Sequence, residues 1–160
     1  MKSKRGDNVH QIEVKRYLIE RRFNPSRGWT VTVHLDGMEK GTHLQDKRDC
    51  AALHGQWMED NGITIGAHEK FGRTDVVATH PSHGTVLIEC EADTNRQREQ
   101  AMYSALGQLL LKMDGEVRRY GLAVPDSSEW RSQVDKIPDH VKKILSLTVY
   151  LVSASGVEEK

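Results

Sequence analysis

Cysteine is scarce in this chain: Cys50 and Cys90 are the two in 160 residues. Nothing near them has metal-type spacing, so neither a zinc ribbon nor a disulfide scaffold is in view. Two buried free thiols in a reducing compartment are expected instead. Aromatics make up only 6% of the residues. No apolar run approaches the roughly 18 residues that a membrane span needs. Met1-Lys2-Ser3-Lys4-Arg5-Gly6-Asp7 contains no apolar core of a secretory signal. Charge of one sign is also lacking, because Lys plus Arg and Asp plus Glu are 23 each. Neutrality argues against a molecule given over wholly to binding nucleic acid, although distribution matters more than the sum. Repeats, low-complexity tracts and long linkers are absent. No Gly-x-Ser-x-Gly elbow or phosphate-cradling glycine loop occurs, so an α/β hydrolase of small molecules has no motif here.

What is present is a chain 37% hydrophobic and 29% charged. That is the balance of one soluble, cytoplasmic domain with a real core. Residues 1–30 carry eight basic groups against three acidic ones, which fits either a basic face or a solvated helix surface. Val9 to Phe23 spaces Val9, Ile12, Tyr17 and Leu18 as an amphipathic helix, and Asn24-Pro25-Ser26-Arg27-Gly28 breaks it. Trp29 to Leu35 alternates as a strand. Leu44 to Asp60 reads as a helix ended by Asn61-Gly62, with a short strand at Ile63 to Ile65.

Thr74 to Thr79 and Thr85 to Glu91 read as two strands around the loop His80-Pro81-Ser82-His83-Gly84. A helix over Asn95 to Met113 and a strand over Arg118 to Val124 follow. Ser127 to Leu145 is helical with a reset at Pro138, which suits the first turn of a second helix. Ser146 to Val152 is the last strand. The order α-β-α-β-β-α-β-α-β implies an α/β domain over residues 9–153, a central mixed sheet flanked by helices. Polar tails are expected at 1–8 and 154–160.

The chemistry concentrates between Gly72 and Met113. Asp75 leads one apolar strand, and Glu89 and Glu91 end the next. Strand alternation puts Glu89 and Glu91 on one face and turns Cys90 to the core. By itself, Glu89-x-Glu91 fits a solvated strand end as well as a metal site. Antiparallel pairing of the two strands would bring Asp75 to both glutamates. Three carboxylates so close raise one another's pKa unless a cation is present, and Mg²⁺ suits such a site. His80 and His83 fit either a zinc or proton-carrying pair or a plain polar loop, with no further ligand at standard zinc spacing.

Asp75, Glu89 and the helix bearing Gly107-Gln108-Leu109-Leu110 make residues 9–124 resemble the PD-(D/E)XK nuclease superfamily. This is the restriction-endonuclease-like fold, and small Holliday-junction-resolvase-like members are similar. The family core is an N-terminal helix, a strand hairpin carrying the motif, a helix and a further strand. The resemblance implies a Mg²⁺- or Mn²⁺-dependent endonuclease acting on duplex or branched DNA, as a homodimer where both strands are cut.

It further implies that Asp75 and Glu89 hold the metal with the Cys90 carbonyl, and that Glu13 adds an accessory acid. Gln108 would contact Glu91 or the attacking water, and Arg73, Arg96 and Arg98 would hold phosphate. Each also has an ordinary reading: a helix-face amide for Gln108, a polar first turn for Arg96 and Arg98, packing near Tyr17 for Glu13. Two departures stand out. Thr74 replaces the usual Pro, which supplies only backbone shape. The Lys expected two residues after Glu89 is Glu91, which can bind metal or take a proton from water but supplies no positive charge. Arg73, Arg96 and Lys112 are the places to which the basic group could have moved. Non-cleaving members of the superfamily exist, so the alternative is a nuclease-fold protein that binds nucleic acid or a protein partner without cutting.

Overall fold

The computed structural model describes residues 9–37, 39, 45–93 and 97–160. Helix α1 (Gln11–Arg22) is followed by a 3₁₀ turn (Pro25–Arg27), β1 (Thr30–Val33), α2 (Gln45–Asp60) and β2 (Thr64–Ile65). The hairpin β3 (Val76–His80) and β4 (Gly84–Cys90) leads to α3 (Arg98–Leu110) and β5 (Arg119–Pro125). Helices α4 (Ser128–Val134) and α5 (Asp139–Leu145), then β6 (Leu147–Ser153) and β7 (Gly156–Glu159), complete the chain.

The strands form one mixed sheet of seven in the order β2-β1-β3-β4-β5-β6-β7. β3 runs antiparallel to both β1 and β4, while β4, β5 and β6 are mutually parallel. Parallel neighbours need crossovers; α3 makes the one from β4 to β5, and α4 with α5 the one from β5 to β6.

Both faces of the central strands are covered, so those strands read as continuous apolar runs. Val76, Ala78, Val86, Ile88 and Cys90 face a core built with Ile12, Leu18 and Ile19 of α1 and Met58 of α2. The alternate residues Val77 and Leu87 face a second core with Met102, Ala105 and Leu109 of α3 and Trp130 of α4.

The expected α/β architecture is present, with differences at its ends. The chain has a second helix after Pro138, and Pro138 caps α5 rather than occupying its first turn. Residues 154–160, expected as a polar tail, contain β7, which pairs antiparallel with β6. The expected N-terminal tail, 1–8, lies outside the described residues. Among the described residues no helix is long and apolar enough to cross a membrane. Neither cysteine is in a disulfide; Cys90 is buried and Cys50 only half-buried.

Candidate active site

The antiparallel register pairs Val76 with Ile88, so one step further along the hairpin sets Asp75 across from Glu89. Asp75 precedes β3 rather than beginning it. Thr74 is buried, and its hydroxyl donates to the Phe71 carbonyl at 2.8 Å, closing the turn that delivers Asp75. On the other side the His34 N–H donates to the Asp75 carbonyl at 3.0 Å, which carries the β1–β3 ladder past the strand end.

The Asp75 carboxylate is held from three directions. Lys15 Nζ lies 3.0 Å from Oδ1. The Cys90 N–H donates to Oδ2 at 2.9 Å, and Gln11 Nε2 donates to the same oxygen at 3.2 Å. Gln11 Nε2 also donates to the Cys90 carbonyl at 2.5 Å. A carboxylate oxygen and a main-chain carbonyl thus converge on one nitrogen. Lys15 itself has no exposed side-chain surface and also meets Glu39 at 2.8 Å and the His34 carbonyl at 2.7 Å. Burial works against its charge, but Asp75 and Glu39 outweigh burial and hold its pKa above the ordinary value.

Glu89 is buried and accepts a 2.7 Å bond from Lys112 Nζ, just beyond α3. Burial, then the charge of Asp75 and a hydrogen bond to it, push its carboxyl up to about 8 against the pull of Lys112. Glu91 is pushed up to about 7 by burial and then by Asp75, with Lys15 opposing. This is the signature of like charges crowded in a low-dielectric place. Glu91 follows the end of β4 and lines a cleft of about 220 Å³ with His10, Gln11, Lys47 and Cys50. Lys112 pairs with Glu89, whereas Glu91, whose N–H still donates to the Ala123 carbonyl at 2.9 Å, opens on the cleft lined by His10 and Gln11. Cys90 is fully buried, and burial raises its thiol well above the ordinary value, which removes it as a thiolate nucleophile.

The other expected residues are placed elsewhere. Gln108 is exposed, and its amide donates to Ser104 Oγ at 3.4 Å rather than reaching Glu91. Met102, Ala105 and Leu109 turn inward, and that leaves 108 on the outer side of α3. Glu13 faces α2: its carboxylate accepts the His10 N–H at 2.6 Å and lies 3.7 Å from His54 Nε2. Burial works against its charge, but hydrogen bonds from His54 and the His10 backbone lower its pKa overall. Glu13 also groups with His10 and Cys50 as a set whose ligand atoms lie within 4.8 Å of one another, and His10 and Cys50 line the same cleft as Glu91. Arg73 is exposed two residues before Asp75. Arg98 pairs with Asp93 at 2.9 Å. Arg96 lies outside the described residues.

Gln11, Lys15 and Glu39 were not anticipated. Lys15 had a signal: it occupies the inward stripe of α1 with Ile12, Leu18 and Ile19, where a lysine needs a buried partner. Gln11 lies one helical turn before it on the same stripe. The donor set of the cluster is hard oxygen, from Asp75, Glu89, Glu91 and the Cys90 carbonyl, and that chemistry fits Mg²⁺ or Mn²⁺ better than a soft metal. No family model, curated protein or solved structure matches the chain.

Proposed function

We propose that the protein is a divalent-cation-dependent nuclease that hydrolyses phosphodiester bonds of DNA on a restriction-endonuclease-like scaffold. The observation that carries this reading is the convergence of Asp75 Oδ2 and the Cys90 carbonyl on a single point, with two further carboxyls raised beside it. The order of α1, the motif hairpin, α3 and β5 supports it as well, since it follows the order that the resemblance implies.

Asp75, Glu89 and the Cys90 carbonyl would hold Mg²⁺ or Mn²⁺. A cation there supplies polarisation of the phosphodiester and stabilisation of the leaving oxygen. Glu91, with a carboxyl at about 7 and an opening to the cleft, has the basicity to take a proton from an attacking water. Glu91 cannot supply the positive charge that the family's lysine brings. Two lysines reach the cluster from other elements, Lys112 at Glu89 and Lys15 at Asp75. Lys112, with part of its side chain exposed, is the one able to face a substrate phosphate. Arg73 lies at the same end of the sheet.

A second reading has its own observation. Gln11, Lys15 and Lys112 already satisfy the acidic cluster from within, as a non-cutting protein that binds nucleic acid or a partner would require. Calorimetric titration with Mg²⁺ and Mn²⁺, together with cleavage of plasmid, branched and single-stranded DNA, separates the two. Saturable binding and cleavage, both lost in Asp75→Asn and Glu89→Gln, are expected. A folded protein that neither binds cation nor cuts would overturn the nuclease reading.

A further inference from the structure

At the far end of the sheet from the carboxylates, the β3–β4 turn gathers rings and cations. From His83 to Glu89 is six residues along β4, or about 20 Å at 3.3 Å per residue. Trp29 stands half-buried, edge-on to Phe23 at 4.9 Å between centroids. His83 lies nearly parallel to Trp29, with ring centroids 5.9 Å apart and planes 17° apart. His80 packs 5.1 Å from Trp29 and 4.5 Å from His83.

His80 is fixed. The Ser82 N–H donates to its Nδ1 at 3.0 Å, so Nε2 carries the proton that meets the Arg27 carbonyl at 3.1 Å. The approach to the turn is close enough that a Cβ at Gly28, where φ is +93°, would sit 2.8 Å from His80 Nε2. The hairpin and the Pro25–Arg27 turn are thereby locked together. The outer ring of the stack, His83, is exposed.

Cations surround these rings. Arg22, Arg27 and Arg119 line, with His83, a cleft of about 330 Å³ in which Glu159 is the only acid among the described residues. Arg119 is shared with a neighbouring hollow that adds Lys142, Lys143 and Lys160. Arg22, Lys142 and Lys160 are paired with Glu159, Asp139 and Asp135. Among the described residues Arg27, Arg119 and Lys143 have no carboxylate partner. Arg27 and Arg119 instead donate to main-chain carbonyls, those of Arg21 at 2.6 Å and His83 at 3.2 Å. Carbonyl acceptors aim a guanidinium without neutralising it, which is what a phosphate site needs. An exposed ring stack flanked by aimed, uncompensated cations is the combination that holds unpaired bases by their faces and the backbone by its charge.

We propose that this hairpin end is a binding site for single-stranded nucleic acid, a base stacking on His83 over Trp29 and phosphates meeting Arg27, Arg119 and Lys143. The site stands apart from the carboxylate cluster and does not depend on the nuclease reading.

Fluorescein-labelled oligothymidylate of about a dozen nucleotides, within the span such surfaces accommodate, is titrated in EDTA so that no cation acts at the other end. Saturable binding is expected, with a change in tryptophan emission that disappears in Trp29→Phe. Arg119→Glu is expected to weaken binding about tenfold and to reduce the salt slope by about one. Arg27→Glu, outside the sheet, provides the same test without touching β5. Duplex of the same sequence is expected to bind several-fold more weakly, because its bases are not free to stack. Equal affinity for duplex or polyglutamate, no Trp29 signal, or unchanged binding in both charge reversals of folded protein would overturn the proposal.

Discussion

Lys15 shows how much one residue can settle. It places an ammonium between two carboxylates and a carbonyl with no water in reach. Removing one partner of a buried ionic group leaves the others uncompensated. Lys15→Met is therefore expected to lower unfolding stability by about 3–5 kcal/mol, read as a fall in the urea midpoint. Mg²⁺ is expected to restore part of the loss in that variant, by supplying positive charge to Asp75. A neutral result would mean that Asp75 and Glu39 are less confined than their surroundings imply.

Glu89 gives stability a dependence on pH. Its folded carboxyl is raised from 4.5 to about 8, so the folded state holds the proton more tightly than the unfolded chain does. The stability this contributes is complete below about pH 4.5 and is lost as pH rises toward 8. Metal-free protein is accordingly expected to weaken over that window in pH-dependent urea melts. Glu89→Gln, which cannot lose a proton, is expected to flatten the profile.

At the scale of elements, the hairpin was legible because its apolar runs, its turn residues and its length all agreed. The pairing that brings Asp75 to Glu89 followed from those three facts. Of the two readings of Gln108, the helix-face amide matches the structure, because the rotation of α3 aims it outward and the motif does not. Met102, Ala105 and Leu109 define the inward stripe, and that spacing was in the sequence. β7 was hidden because Gly156 to Glu159 is short and polar at an edge, where hydrogen bonds to β6 form it more than burial does. The same scale explains Gly121, in the middle of β5. A Cβ there would lie 2.8 Å from Tyr150 Cε2 and 2.9 Å from Ile88 Cγ1. Gly121→Ala is expected to cost about 1–3 kcal/mol by overpacking between β4 and β6, measured as a lower thermal midpoint. An unchanged midpoint would show that Tyr150 swings aside freely.

Across the whole molecule, equal numbers of acids and bases conceal a division. The acids of the cluster gather where β4 ends and β3 begins, and Arg27 and Arg119, which have no carboxylate partner among the described residues, lie at the opposite end. A sum over the sequence cannot show this, because the sheet, not the chain, decides which residues become neighbours. The α/β class and the helix-covered sheet were readable from periodicity alone. The partners of Asp75 were not, since Gln11 and Lys15 come from a helix more than fifty residues earlier in the chain, and no local pattern encodes that docking.

That docking carries a consequence for the order of events in folding. Asp75 and Glu89 are brought near each other by a hairpin whose closure spans few residues and is fast. Lys15 and Gln11 arrive only when α1 settles on a sheet that extends to β6 and β7, after a far longer loop has closed. On the ribosome α1 precedes the strands it covers, and it meets α2 before the parts of its surface formed by β4 to β7 have emerged. The acids thus spend the interval in water, where their charges are screened, and enter a dry environment only together with their counter-charges. Protection from hydrogen exchange of the Asp93 amide, which donates to the Val9 carbonyl just before α1, should therefore report the docking of α1 rather than closure of the hairpin.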